Sequence, residues 1–156
     1  RMARFLVFLN PNLDPQGIGY HASQALIAIG SGGFLGRGFG QSIQKFSYLP
    51  EPMGDSVFAV IVEEFGFLGG LMVATLFFIL FLRCIVIARR APDFFSKLLT
   101  TGFASLIAFQ AFVNMAAISG LLPLTGVTLP FLSYGGTSLV ITLTMMGIIL
   151  NVSKHA

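Results

Sequence analysis

Of the six acidic residues in this chain, four fall between Gly30 and Glu64: Glu51, Asp55, Glu63 and Glu64. The same stretch, GSGGFLGRGFGQSIQKFSYLPEPMGDSVFAVIVEE, also carries Arg37 and Lys45, so nearly all the charge able to do chemistry is gathered there. Six glycines lie between Gly30 and Gly40. A glycine-rich backbone can turn several N–H groups toward one anion, and arginine and lysine both meet phosphate. The pattern is neither a P-loop nor a dinucleotide fingerprint, because no Gly-Lys-Ser/Thr closes it and no strand precedes it. The other reading of the glycines is a connection that packs closely on neighbouring helices. Asp55 also has two readings. It stands just before an apolar run, where Asp is a typical helix N-cap; the alternative is a chemical role. Glu63 and Glu64 precede the uncharged core of that run, at a depth where carboxylates are costly unless hydrated or paired. They indicate either a water-filled cavity or side chains snorkelling to the boundary.

The elements that must position these groups are apolar. Only 10% of the 156 residues are charged and 55% are hydrophobic, with a strongly positive mean hydropathy. Soluble domains carry about a quarter charged residues, so composition alone places the chain among integral membrane proteins. The net charge of +3 comes without a block of consecutive basic residues, which leaves nucleic-acid binding without support. The single cysteine, Cys84, excludes an internal disulfide framework and a multi-cysteine metal site, and is expected to pack as a small hydrophobe.

The fold class expected is an all-α polytopic membrane bundle. Residues 1–56 form a large loop with short interfacial helices, and residues 57–156 hold three spans at about 57–87, 98–121 and 139–152. Asn10-Pro11-Asn12, Asp14-Pro15 and Gly17-Ile18-Gly19 punctuate the start of the loop. A short helix is predicted over Tyr20 to Ile29, with His21 as a hydrogen-bonded surface residue. The first span has Phe65 to Leu82 as its uncharged core. Arg83, Arg89, Arg90 and Lys97 flank the next connection, which the positive-inside rule puts in the cytoplasm. Residues 1–56 then lie outside, and Lys154 agrees with a cytoplasmic C-terminus. The second span carries Gln110 and Asn114 on one face, suited to interhelical hydrogen bonding. Residues 123–138 hold two prolines and three glycines within apolar sequence, which reads as a broken, re-entrant element lining a cavity. The opening, Arg1-Met2-Ala3-Arg4 with a brief apolar patch from Phe5 to Leu9, is too short for a signal peptide and suggests a piece of a longer chain.

Three stretches in order, FLNPNLDPQGIGYHASQALIAIGSGG, GRGFGQSIQKFSYLPEPMGDSVFAVIVEEFGFLG and FQAFVNMAAISGLLPLTGVTLPFLSYGGTS, resemble the SEDS proteins of shape, elongation, division and sporulation. The likeness spans essentially the whole chain, is strongest to the cell-division branch, and covers the family's large outer loop and last three spans, so the chain looks like a C-terminal fragment. It implies a peptidoglycan glycosyltransferase of the bacterial cytoplasmic membrane, at the division septum, that polymerises lipid II into glycan strands. The implied partners are lipid II, the nascent glycan, a class B penicillin-binding protein, other division proteins and membrane lipids. The family's essential acidic residue falls on Asp55, preceded here by Met53-Gly54 where many members have His-Thr.

The chemistry implied is inversion. A sugar hydroxyl needs one carboxylate as general base, and a pyrophosphate leaving group needs positive charge rather than a second acid. Arg37, Gln44, Lys45, Glu51, Ser133 and Ser138 are then the substrate-binding candidates. Glu63, Glu64, Gln110 and Asn114 support them from behind. No organic cofactor and no protein metal site is expected, with a divalent cation left open. Three spans by themselves are expected to be inactive. The competing readings are a lipid II flippase, which would depend on Gln110 and Asn114 rather than Asp55, and a non-catalytic scaffold that activates its transpeptidase.

Overall fold

The computed structural model describes residue 8, residues 17–42 and residues 54–155, and among these there is no strand. Four helices carry the fold: α1 (Ile18–Gly32), α2 (Val57–Arg90), α3 (Phe94–Ile118) and α4 (Gly136–Ser153). The last three are long and apolar enough to cross a membrane. The protein is an all-α membrane bundle, as its composition requires.

Helix α2 has 34 residues, about 51 Å at the helical rise and well beyond a hydrocarbon layer of ~30 Å. The excess is set apart by a break. Gly66 has φ 70° and ψ −165° inside an otherwise helical run, so the uninterrupted helix expected over this region is two segments. The backbone groups that the break releases are taken up by the glycine-rich connection after α1. The amides of Arg37 and Gly38 donate to the carbonyls of Glu63 and Glu64, each at 3.0 Å, and the amide of Phe67 donates to Gly33 at 2.9 Å. Chains this close leave no room for side chains. A Cβ on Gly36 would collide with the Glu64 carbonyl, and one on Gly66 with the Gly36 amide.

This pairing corrects the phosphate-cradle reading. The amides of Gly36, Arg37 and Gly38 all donate to protein carbonyls. The close-packing reading is the one that holds.

Helix α1 is longer than expected, and α3 begins and ends earlier. At the end of α3 the cause is a Schellman cap: Gly120 takes φ 74°, its amide donates to Ala117, and the Leu121 amide donates to Ala116 at 2.9 Å. Hydropathy continues to Leu122, but the helix stops at Ile118. At the other end of this connection α4 starts at Gly136, three residues before the expected position.

Two packed centres hold the helices. One joins Ala25 and Ala28 of α1, Phe58, Ala59 and Val62 of α2, Ala111 and Ile118 of α3, and Leu129. Its alanines let helix backbones approach closely, as small residues do between membrane helices. The other packs Cys84, Ala104 and Ile149 at the far end of the bundle, so Cys84 is the buried small hydrophobe expected of it. The first centre lies directly under the start of α2 and fixes the position of Asp55.

Candidate functional site

Asp55 sits in the turn just ahead of α2, with 15% of its side chain exposed. Its carboxylate is not spent on capping the helix. Ser56 occupies the N-cap position and makes no side-chain cap bond. Instead the Ser56 hydroxyl donates to Asp55 Oδ1 at 3.2 Å. His21 of α1 closes the group: its Nε2 is 2.6 Å from Ser56 Oγ and 3.8 Å from Asp55 Oδ1. Among the described residues Asp55 Oδ2 has no hydrogen-bond partner. A Cβ added to Gly126, whose φ is 70°, would stand 4.0 Å from that oxygen, so the bare glycine keeps its approach open. His21 is therefore half-buried beside the candidate base and not the surface residue expected. Thirty-five positions separate it from Ser56, and nothing local in the sequence signals the contact.

Helix α3 holds the backbone of this site. Asn114 donates its side-chain amide to the Asp55 carbonyl at 2.9 Å and to the Val127 carbonyl at 2.7 Å. Gln110, one turn earlier, donates to the Thr128 carbonyl at 3.0 Å. The pair shares a face as expected, yet its partners are backbone carbonyls rather than side chains of another helix. Residues 119–135 are irregular, and these bonds supply what a helix would otherwise give. The two serine candidates are engaged within the same region. Ser133 Oγ accepts from the Leu129 amide at 2.7 Å, and Ser138 Oγ lies 2.9 Å from Thr128 Oγ1. Ser133 is engaged here as an acceptor, and in the Thr128–Ser138 pair either hydroxyl can be the donor.

A second cluster lies about two helical turns along α2. Glu63, fully buried, accepts a hydrogen bond from Ser42 at 2.6 Å and faces Arg37 at 3.9 Å. Arg37 Nε also donates to the Ser31 carbonyl at 3.3 Å. Arg37 is thus drawn to Glu63 and makes no contact with Asp55, although 38% of its side chain stays exposed. Glu64 is 7% exposed, and its Oε1 has no partner among the described residues. Neither glutamate snorkels outward. Gln44, Lys45, Glu51 and Met53 lie outside the described residues. Among the described residues no three of His, Cys, Asp and Glu come together as a metal-binding group.

Below Asp55 an apolar groove of about 680 Å³ runs along α2 from Ile61 to Leu80 and is bordered by Phe131 and Leu132. Phe131 has φ 65°, a value that bulky side chains rarely adopt, and the Leu132 amide donates to the Pro130 carbonyl at 2.8 Å across it. This strained turn presents the two side chains to the groove.

The family model of the cell cycle proteins FtsW, RodA and SpoVE matches residues 1–156. The chain belongs to the FtsW/RodA/SpoVE family. Stage V sporulation protein E of Bacillus subtilis (strain 168) is 48% identical over 156 residues, covering 100% of this chain and 43% of that protein. A probable peptidoglycan glycosyltransferase FtsW of Trichlorobacter lovleyi is 49% identical over 153 residues, covering 98% of this chain and 40% of that protein. The chain therefore spans about two-fifths of the length of these curated relatives. Among solved structures, one described as the structural coordination of polymerization and crosslinking by a peptidoglycan synthase complex superposes with a TM-score of 0.79 at 33% identity, over 98% of this chain and 41% of the other. The rod shape determining protein RodA of Thermus thermophilus superposes with a TM-score of 0.62 at 30% identity, over 97% and 52%. The family membership agrees with the resemblance carried by the three sequence motifs.

Proposed function

We propose that the protein carrying this chain is a peptidoglycan glycosyltransferase that polymerises lipid II with inversion, using Asp55 as general base. The observation that carries this reading is the asymmetry of the carboxylate: Oδ1 is held by Ser56, while Oδ2 is unbonded and faces the open side of Gly126. In the reaction the acceptor sugar hydroxyl gives its proton to Oδ2 as its oxygen bonds the anomeric carbon. The bond from that carbon to the pyrophosphate oxygen breaks on the opposite face, and undecaprenyl pyrophosphate leaves as an anion. The leaving group needs no proton, so a single carboxylate suffices and positive charge takes the place of a general acid. Arg37, through its exposed part, and Lys45 are the cations available for it. The groove beneath Asp55 is apolar along its length, as a polyprenyl chain requires. Names of relatives support the activity, since several are probable peptidoglycan glycosyltransferases.

The sidedness follows from charge. The positive charges Arg83, Arg89, Arg90 and Lys97 support a cytoplasmic α2–α3 turn, and with it residues 1–56 and Asp55 outside and the C-terminus inside. That orientation is the one the polymerase reading needs, with the base on the outer face. The partner proposed is a class B penicillin-binding protein at the septum, in keeping with a structural relative found in a complex that couples polymerization to crosslinking.

The test uses the full-length protein purified with its transpeptidase and supplied with lipid II. Asp55→Ala should abolish glycan polymer on a gel while folding and partner binding persist. Undiminished polymer would refute the base assignment. A flippase would instead be most sensitive at Gln110 and Asn114. Both of these donate to backbone carbonyls rather than standing open along a path, which favours the polymerase.

A further inference from the structure

We propose that His21 is a positioning residue for Asp55, acting through Ser56. The proposal rests on Asp55 being the base.

A serine hydroxyl has a single proton to give. Ser56 is fully buried and lies between two groups, with Asp55 Oδ1 at 3.2 Å and His21 Nε2 at 2.6 Å. If Ser56 gives its proton to the imidazole, Asp55 keeps no donor at all among the described residues, and a largely buried carboxylate is left bare. If Ser56 gives it to Asp55, the imidazole must donate in turn. Only the second arrangement satisfies all three groups: His21 Nε2–H donates to Ser56 Oγ, whose proton lies on Asp55 Oδ1. The tautomer is thereby set by the network. The chain of bonds occupies Oδ1 and orients the carboxylate so that Oδ2, beside Gly126, receives the substrate proton. His21 touches neither substrate nor reacting atoms. It works by fixing a rotamer that an Asp in a turn would otherwise leave freely.

The chain of bonds does not depend on the charge of the imidazole. Nε2 donates in both the neutral and the charged imidazole, so the hydrogen bonds survive protonation. No other described charge competes at this position. On α1 the nearest ionisable neighbour is Tyr20, and on α2 the next acids are Glu63, engaged by Ser42 and Arg37, and Glu64. Helix α3 carries no ionisable residue after Lys97, and residues 119–135 contribute only Tyr134, which is 86% exposed.

The experiment measures lipid II polymerisation by the full-length protein with its transpeptidase, comparing kcat and KM of wild type, Asp55→Ala, His21→Ala, His21→Gln and Ser56→Ala. Expected is a 10- to 100-fold fall in kcat for H21A, with KM within about twofold, and a similar fall for S56A. The double variant H21A/S56A should be no worse than either alone, because both break one chain. H21Q keeps a neutral donor and should regain most of kcat. H21A with full kcat, where D55A is dead, would overturn the role of His21 and leave the base intact. Activity in D55A would overturn the base assignment and this proposal with it. Equal losses in H21A and H21Q, with unchanged thermal stability, would also overturn it, in favour of imidazole packing alone.

Discussion

Asn114, in the middle of α3, donates its side-chain amide to the main-chain carbonyl of Asp55 at 2.9 Å, across 59 positions of sequence. One amide group therefore ties the candidate base to the irregular segment, because the same nitrogen donates to Val127 at 2.7 Å. The residue is 2% exposed, so water cannot replace either bond. Asn114→Leu, similar in size, should lower stability by about 1–2 kcal/mol for each bond lost. Asn114→Asp should cost more, since a carboxylate would face two carbonyl oxygens. Thermal unfolding in detergent checks the ranking, and a Leu variant as stable as wild type would refute it.

The glycines divide sharply by what surrounds them. Gly36→Ala and Gly66→Ala should each prevent correct folding, because the new Cβ meets backbone atoms that have no room to yield and both glycines sit at positive φ. Gly30→Ala in α1 and Gly102→Ala in α3 meet nothing within 4 Å. Each should be tolerated and should stabilise its helix by about 0.5–1 kcal/mol. Yields of folded protein after gel filtration separate the two pairs.

Hydropathy is enough to locate α2, α3 and α4 in the sequence, since a run of about 20 apolar residues is what crossing a bilayer demands. It runs straight through Gly66, because a lone glycine in an apolar helix changes no average; the break exists only through Gly33, Gly36 and Gly38, which lie some thirty positions away. The end of α3 is marked by Gly120, but apolar residues beyond it hide the cap. Asp55 is legible as a carboxylate ahead of a helix, and Gln110 with Asn114 as a shared polar face. His21 is not, because its contact with Ser56 is made by the packing of α1 on α2 and by nothing in either segment alone.

Adjacent carboxylates should respond oppositely to neutralisation. Glu63 is fully buried with Ser42 and Arg37 as partners, so Glu63→Gln leaves Arg37 without its counter-charge and should lower the melting temperature. Glu64 is nearly as buried, with Oε1 unpartnered among the described residues. Glu64→Gln exchanges a buried carboxyl group whose Oε1 lacks a partner for a neutral amide and should hold or raise the melting temperature. A fall for both of similar size would show that Glu64 has an ionic partner of its own.

The groove makes a prediction about the length of the lipid. Met72 and Leu76 lie on its α2 wall, and Phe131 and Leu132 face them from the strained turn. Leu76→Trp would fill part of its 680 Å³ with a rigid ring while leaving Asp55 and its hydrogen bonds untouched. If the groove holds the polyprenyl chain, this variant should raise KM for lipid II several-fold and leave KM for a short-tailed analogue near the wild-type value, with kcat unchanged for both. A selective effect of this kind follows from binding that is equal in ground and transition states, which alters KM alone. An equal rise for long and short tails would place the chain elsewhere and assign the groove to protein packing. The contrast between substrates is needed because a bulky residue in a helix wall can shift the bundle as a whole, and such a shift would weaken both substrates together.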